Sequence, residues 1–364
     1  MTAFPPGSTI GILGGGQLGR MLAMSAARLG FKTHIYAPEA DSPAFDVATA
    51  HTIADYQDEA QLAAFAKWVH VATYEFENIP LDTVEFLSAR IPVRPGAKAL
   101  ACAQDRMSEK SLARELGAMT AEFVAIDSFA DLSTTLDNGF PVPSVLKTRR
   151  FGYDGKGQAK IMTRGDAQDA WEAMADQPSI LESFVTFGAE ISVVAARGLD
   201  GAFRAFDVTE NEHRNHILHR SVAPALLTPD TAAEAIAIAQ KIAEKLDYVG
   251  VFAIEFFLVT ENGRNRLYVN EMAPRVHNSG HWTMDAALTS QFEQHIRAVA
   301  GWPLGAPTLK APGAEMINLI GDDILGWERI AAEPGAFFHH YGKKEARPGR
   351  KMGHVNRLLA KKPS

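Results

Sequence analysis

Two glutamates stand alone in apolar surroundings: Glu255 in VFAIEFFL (251–258) and Glu271 in RLYVNEMA (266–273). Between them, ENGRN (261–265) carries Asn-Gly, the dipeptide favoured in tight β-hairpin turns because both central residues tolerate positive φ. A hairpin symmetric about Gly263 sets the two acids directly opposite each other, each eight residues from the turn. Like charges opposed in a partly buried sheet repel, so either one carboxyl stays protonated or a cation lies between them. Oxygen ligands such as Glu255, Glu271 and the Asn270 amide suit magnesium, which takes few protein oxygens and completes its shell with nucleotide phosphates. A structural ion pair of one acid with Arg266 or Arg275 is the other reading, although it leaves the opposition in place.

A phosphate ligand is in keeping with LKTRRFGYDGKGQ (146–158), where Gly152, Gly155 and Gly157 alternate with Arg149, Arg150 and Lys156. The GxxxxGK[ST] spacing is absent, so a strand–loop–strand lid fits better than a P-loop: its glycines let backbone amides approach phosphate oxygens. Lys147, in the strand before the loop, is placed to hold a phosphate from a fixed position. A solvated basic turn is the alternative. A second glycine-rich stretch, GGGQLG (14–19), fits the GxGxxG pattern of a dinucleotide site. The acid that should bind ribose about 20 residues later, at the end of the second strand, is not there. That position reads IYAPEA (35–40), with Tyr36 at the strand end and Glu39 beyond a proline.

The elements that must position these groups follow from the pattern of the chain. Its 364 residues are 46% hydrophobic and 22% charged, which is globular composition with room for two or three domains. A net charge of −7 excludes the broad positive field of a nucleic-acid binder. Cys102 is the only cysteine, so no internal disulfide or thiolate zinc site is available, and no apolar run reaches the length of a membrane span. A soluble, cytoplasmic protein is expected, with no nucleic-acid or membrane partner. Residues 8–100 alternate strand-like and helix-like runs, as in a parallel sheet with crossover helices. From about residue 142 longer strands (142–148, 179–185, 189–196, 202–208) point to an antiparallel sheet. A basic segment, YGKKEARPGRKMGHV (341–355), brings together Lys343, Lys344, Arg347, Arg350, Lys351 and His354.

The ordered set GGGQLG (14–19), TYEFENIP (73–80), LKTRRFGYDGKGQ (146–158), LESFV (181–185), NEMAPRVHNSGHWT (270–283) and YGKKEARPGRKMGHV (341–355) resembles the N5-carboxyaminoimidazole ribonucleotide synthetases. These are ATP-grasp carboxylate-amine ligases, and the resemblance runs over nearly the whole chain. It implies an α/β and α+β protein in three parts: a Rossmann-like domain (1–98), an ATP-grasp domain (99–304) with a lid subdomain at about 120–187, and a small C-terminal domain (305–364). It also implies ATP-dependent carboxylation of 5-aminoimidazole ribonucleotide by bicarbonate through carboxyphosphate, in purine biosynthesis. ATP and magnesium, as two ions, are the implied cofactors, and a homodimer is the usual assembly. The alternatives are formate-dependent glycinamide ribonucleotide transformylation, NAD-dependent oxidoreduction and a non-catalytic nucleotide-binding protein.

By the same resemblance, Arg106, Lys147 and the lid residues Gly152, Tyr153, Asp154, Gly155, Lys156, Gly157 and Gln158 hold the ATP phosphates. Backbone groups of Glu182, Ser183, Phe184 and Val185 meet adenine, Glu190 meets the ribose and His213 the nucleotide edge, while Asn270 and Glu271 complete the site. Read without the family, His213 is a structural or solvent histidine. The implied metal ligands are Glu255 and Glu271. Arg275 is expected to fork onto the oxygens of bicarbonate and carboxyphosphate, with His277, Asn278 and Ser279 as polar contacts. The acceptor falls to Gln17 and Leu18 of the first glycine loop, to Glu75, and to Tyr153 and Asp154. Its phosphate falls to Lys343 and Arg350, assisted by Arg347 or Lys351. Phe151 departs from relatives, which often have glycine there.

Overall fold

The computed structural model describes residues 3–150, 152 and 157–363. Apolar four- to six-residue runs form β1 (Thr9–Leu13), β2 (Lys32–Ala37), β3 (Ala50–Ile53) and β4 (Val71–Tyr74). They make a parallel sheet in the order β3-β2-β1-β4, connected through α1 (Gln17–Arg28) and α2 (Glu59–Trp68). Helices α3 (Leu81–Ser88), α4 (Ala97–Ala103) and α5 (Arg106–Glu115) lead out of this unit. Asp105 caps α5 by accepting from the Met107 and Ser108 amides, and its other oxygen lies 2.7 Å from Arg149.

The short β5 (Met119–Thr120) precedes a small four-stranded sheet, β6-β9-β7-β8, of β6 (Phe123–Ile126), β7 (Ser144–Thr148), β8 (Gln158–Ile161) and β9 (Ser179–Ser183). Helices α6 (Phe129–Asp137) and α7 (Ala167–Ala173) cover it. The remaining strands are β10 (Ala189–Arg197), β11 (Phe203–Ala205), β12 (Thr209–Arg214), β13 (Ile217–Ala223), β14 (Gly250–Glu261) and β15 (Arg264–Ala273). They are followed by β16 (Gly313–Ile320), β17 (Ala336–His340) and β18 (Lys351–Leu359), all within one large sheet. Its order is β17-β18-β16-β13-β12-β10-β14-β15-β5, with β11 paired to β10. Chain beyond residue 305 therefore extends the central sheet, because β16 pairs with the open edge of β13. The strand expected over 202–208 is confined to Phe203–Ala205, and the chain leaves the ladder after it.

Helices α8 (Pro229–Lys245), α9 (Thr283–Ala286), α10 (Gln291–Ala300) and α11 (Trp327–Ala331) complete the fold. Leu22 and Ala26 of α1 share one core with Phe292, Ile296 and Val299 of α10 and with Trp282. Burying such side chains contributes roughly 1.5–3 kcal/mol each, and here it fixes the first glycine loop against the large sheet. Buried His295 adds a polar pin: one ring nitrogen lies 2.8 Å from Thr73 Oγ1 on β4, and the other accepts from the Val251 amide on β14 at 3.0 Å. Burial lowers its pKa to about 3, so it holds this place as the neutral imidazole.

Candidate active site

The β14–β15 ribbon brings Glu255 and Glu271 directly opposite each other. The route to that pairing differs from the symmetric hairpin expected. Asn262 (φ 50°) and Gly263 (φ 73°) form a two-residue turn closed by Glu261 and Arg264, and that register runs to Phe256 opposite Val269. Asn270 is then skipped as a β-bulge, and the pairing resumes at Glu255 with Glu271. Without the bulge, Asn270 would face Glu255 and Glu271 would turn to the other face of the sheet.

Burial and the opposed Glu271 push the Glu255 carboxyl up to about 8. Its side chain is 12% exposed, whereas that of Glu271 is 43% exposed and lies 3.3 Å from Arg106 Nη1. Neither proposed arginine answers the acids directly. Arg275 forks onto Glu77, donating to Oε1 at 2.9 Å and also to Oε2, and the charges of Glu271 and Glu255 reach it as well. Among the described residues no cluster of three or more His, Cys, Asp or Glu side chains could hold a metal. Two facing carboxylates, of which only Glu271 has a cationic side-chain partner in Arg106, nevertheless fit magnesium, whose protein ligands are often only one or two carboxylates.

His277 Nε2 lies 3.3 Å from Glu255 Oε1. Burial, with the charges of Arg275 and Lys351, holds His277 well below its usual pKa, so this contact is made by a neutral ring and is not an ion pair. A directed chain of hydrogen bonds assigns its tautomer. Ser221 Oγ donates to Asn211 Oδ1 (2.7 Å), Asn211 Nδ2 to Ser192 Oγ (3.0 Å) and Ser192 Oγ to Ser279 Oγ (2.7 Å). The Ser279 hydroxyl then faces His277 Nδ1 at 2.9 Å, leaving the proton on Nε2, toward Glu255. Ser279 is thus spent on orienting His277 from a fully buried position, and Asn278 pairs reciprocally with Asn318 (3.0 and 2.7 Å). The direct substrate contacts expected of both are redirected into the interior.

Between β7 and β9, Lys147 Nζ donates to Glu182 Oε2 at 2.9 Å, and Lys110 Nζ lies 3.3 Å from the same oxygen. Burial pushes Glu182 up, but the two ammoniums overrule it and bring its carboxyl down to about 2. Burial and the neighbouring cations Lys110 and Arg106 lower Lys147 despite that partner. Glu182 Oε1 is buried without a hydrogen-bond partner among the described residues. The Ser183 and Phe184 amides are already used within the fold, donating to Glu122 O (2.8 Å) and Pro143 O (3.0 Å), so they are not the groups that meet a base. Val185 follows half-buried. Glu190 Oε2 lies 2.7 Å from His213 Nδ1. Burial works against protonation of His213, but Glu190 and Glu255 raise its pKa, so it is not a solvent histidine. Gln158 pairs with Lys147 across β7–β8, and Gly157 adopts φ 67° where an added Cβ would lie 2.6 Å from Thr148 Oγ1. The Gly152 carbonyl lies 3.5 Å from Arg106 Nη2. Phe151, Tyr153, Asp154, Gly155 and Lys156 lie outside the described residues.

Just after β4, Glu75 reaches into the first glycine loop, where its two carboxylate oxygens accept from the Gly16 and Gly19 amides. Burial raises its pKa, against those two bonds and the charges of Arg275 and Lys343. The carboxylate occupies the helix N-terminus where a dinucleotide pyrophosphate would sit. Gln17 is half-buried beside it, while Leu18 points into the core, so its side chain is not an acceptor contact. The basic segment divides in two. Lys343 donates to the Lys351 carbonyl (2.8 Å) and lies near Glu75, and the charge of Lys351 reaches Glu255 and His277. Arg347 pairs with Glu345 on the surface, Arg350 donates to the Glu345 carbonyl (3.0 Å), and Lys344 pairs with Asp41. His354 leaves the basic set altogether: it is fully buried, stacked on His339 and 2.9 Å from the Tyr341 hydroxyl.

Sequence reasoning passed over Glu109 and Lys110, both buried on α5. Their signal was their spacing, three and four residues after Arg106, which puts all three on one helix face.

Residues 8–104 match the ribonucleotide synthetase preATP-grasp domain, residues 111–292 the ATP-grasp domain, and residues 314–363 the phosphoribosylaminoimidazole carboxylase C-terminal domain. An N5-carboxyaminoimidazole ribonucleotide synthase from Brucella melitensis is 48% identical over 98% of this chain and 98% of that protein. The bifunctional purine synthesis protein purC/E of Dictyostelium discoideum is 45% identical over 96% of this chain, which spans 37% of that longer protein. The ADP complex of an N5-carboxyaminoimidazole ribonucleotide synthetase superposes with a TM-score of 0.94 at 40% identity, covering 99% of this chain and 95% of that one. The Aspergillus clavatus synthase in complex with ADP and 5-aminoimidazole ribonucleotide gives 0.89 at 28% identity, covering 98% and 95%.

Proposed function

The chain belongs to the N5-carboxyaminoimidazole ribonucleotide synthase family of ATP-grasp enzymes, and on that premise we propose that it carboxylates 5-aminoimidazole ribonucleotide with bicarbonate at the expense of ATP, in purine biosynthesis. The supporting observation is the opposed Glu255–Glu271 pair, set between the Lys147–Glu182 nucleotide end and the Glu75–Lys343 end.

Bicarbonate is a poor electrophile because hydroxide leaves badly. One of its oxygens takes the γ-phosphoryl group of ATP, giving carboxyphosphate and ADP. The acceptor's amine then attacks the carbonyl carbon, the bond to phosphate breaks and the amine proton departs. No protein nucleophile is needed, so the chain's work is binding, orientation and charge neutralisation. Lys147, Arg106 and the 152–158 loop hold the nucleotide phosphates, with Glu190 and His213 at its ribose edge. Glu255 and Glu271 would hold magnesium, as two ions, beside Asn270; when bound, it supplies the positive charge that the transferring phosphoryl group requires. Neutral His277, oriented by Ser279, and the ammonium of Lys351 border the place where bicarbonate and carboxyphosphate sit. Glu75 keeps a lone pair on each oxygen for the acceptor, whose phosphate is drawn by Lys343 and, at the rim, by Arg350 and Arg347. The family resemblance also assigns Tyr153 and Asp154 to the acceptor. The division at residues 98 and 304, a homodimer and a cytoplasmic site belong to the same proposal.

The test is phosphate release from ATP in two mixtures: 5-aminoimidazole ribonucleotide with bicarbonate, and glycinamide ribonucleotide with formate. Release in the first alone supports the reading; release only in the second, or in neither, overturns it.

A further inference from the structure

Helix α5 carries Arg106, Glu109 and Lys110 at i, i+3 and i+4, so the three side chains share a face. That face meets three consecutive residues of β15. Lys110 Nζ donates to the Asn270 carbonyl at 3.0 Å, Arg106 Nη1 lies 3.3 Å from the Glu271 carboxylate, and Glu109 Oε1 accepts from the Met272 amide. Asn270 is the bulged residue, and a bulge takes backbone groups out of the ladder that must find other partners when buried. Lys110 is 1% exposed and Glu109 6%. Placing two ionisable groups at such depth is costly unless each is partnered, and the partners here are the groups flanking the bulge. Lys110 also reaches Glu182 Oε2 at 3.3 Å, which ties the same clamp to the nucleotide end.

We propose that Glu109 and Lys110 are positioning residues: by holding the Met272 amide and the Asn270 carbonyl they fix the bulge that puts Glu271 on the same sheet face as Glu255. Neither touches the reacting atoms, and both act through Glu271. The inference rests on the reading of Glu255 and Glu271 as a shared cation site, since the clamp decides whether that site exists.

Mn2+ is titrated into the full-length protein with ADP, following free Mn2+ by electron paramagnetic resonance, and ADP affinity is measured separately in EDTA. The parent should bind Mn2+ and E255Q/E271Q should not; parent-like binding by that double variant would overturn the cation reading itself. With this control, K110M and E109L are expected to weaken Mn2+ binding about tenfold or more, the usual effect of removing support behind a metal ligand. ADP affinity in EDTA should stay within about threefold of the parent in E109L, which leaves the Lys110–Glu182 contact in place, and should fall less than Mn2+ affinity in K110M. E109Q, which keeps an oxygen acceptor for the Met272 amide, should rescue Mn2+ binding to near the parent value. Unchanged Mn2+ affinity in K110M and E109L shows that the bulge needs no clamp. An equal loss of ADP affinity in EDTA makes the pair part of the nucleotide pocket; either result overturns the proposal. Should K110M not fold, K110Q is measured by the same two criteria.

Discussion

Glu75 and Glu255 are both largely enclosed acids of the proposed site, yet the protein treats them differently. The Glu75 carboxylate is answered twice from the chain itself, by the Gly16 and Gly19 amides at the start of α1. Glu255 faces another acid, Glu271, and a neutral histidine. Glu109 falls between them, with one amide, that of Met272. An acid satisfied by backbone donors closes its own pocket to anions; a pair of acids without such donors calls for a cation from outside. The glycine-rich loop that looks like a dinucleotide site is therefore plugged, and the apolar hairpin that looks like plain core presents the proposed cation site.

The largest effect should come from the opposed pair. E255Q or E271Q removes a charge that a cation needs, and ATP turnover should fall by about a thousandfold with the fold retained; turnover within tenfold of the parent would erase the contrast. The intermediate case gives a pH dependence. Burial pushes Glu109 from its ordinary 4.5 up to about 8, against the charges of Arg106 and Lys110. A carboxyl raised on folding binds its proton more tightly in the folded state, so its contribution is whole below 4.5 and lost as pH rises toward about 8. Metal-free protein should melt at lower temperature as pH rises across that window, and E109Q should flatten part of the slope. A slope identical in E109Q would remove Glu109 as its source.

At the plugged loop, E75A orphans two buried amides and should cost roughly 1–3 kcal/mol in denaturant unfolding. The same change opens the helix N-terminus, so the variant should gain one binding site for inorganic phosphate beyond any the parent has. No gain, with stability unchanged, would mean that Glu75 is not the plug. The smallest effects lie in the basic segment. K343A, close to Glu75, should raise the acceptor's KM about tenfold, whereas R347A breaks only an exposed pair with Glu345 and should change stability by less than about 0.5 kcal/mol. Equal KM effects would dissolve the inner and outer division of that loop.

The opposed acids were legible because a hairpin turn and an apolar run are local signals. The bulge at Asn270 was not, because its partners sit on α5, far away in sequence; symmetry about Gly263 named the right pair for the wrong reason. In the same way the glycine loop announces a phosphate site; the missing acid after β2 argues against it from sequence, but the arrival of Glu75, 59 residues from Gly16, which fills it, was not legible there. Lys351 and His354 stand three residues apart in β18, and a bulge at Met352 between them breaks the simple alternation, so their separate surroundings could not be read from spacing. One reaches toward the acids while the other is buried against His339. The Glu77 partner of Arg275 was not legible, because a fork beside a substrate loop suits an internal carboxylate equally well.

Calorimetric titration of Mn2+ into the ADP complex of E255Q/E271Q tests the central claim most directly. The account predicts no binding at concentrations that saturate the parent complex. Binding of parent strength would mean that the two facing glutamates hold no shared cation.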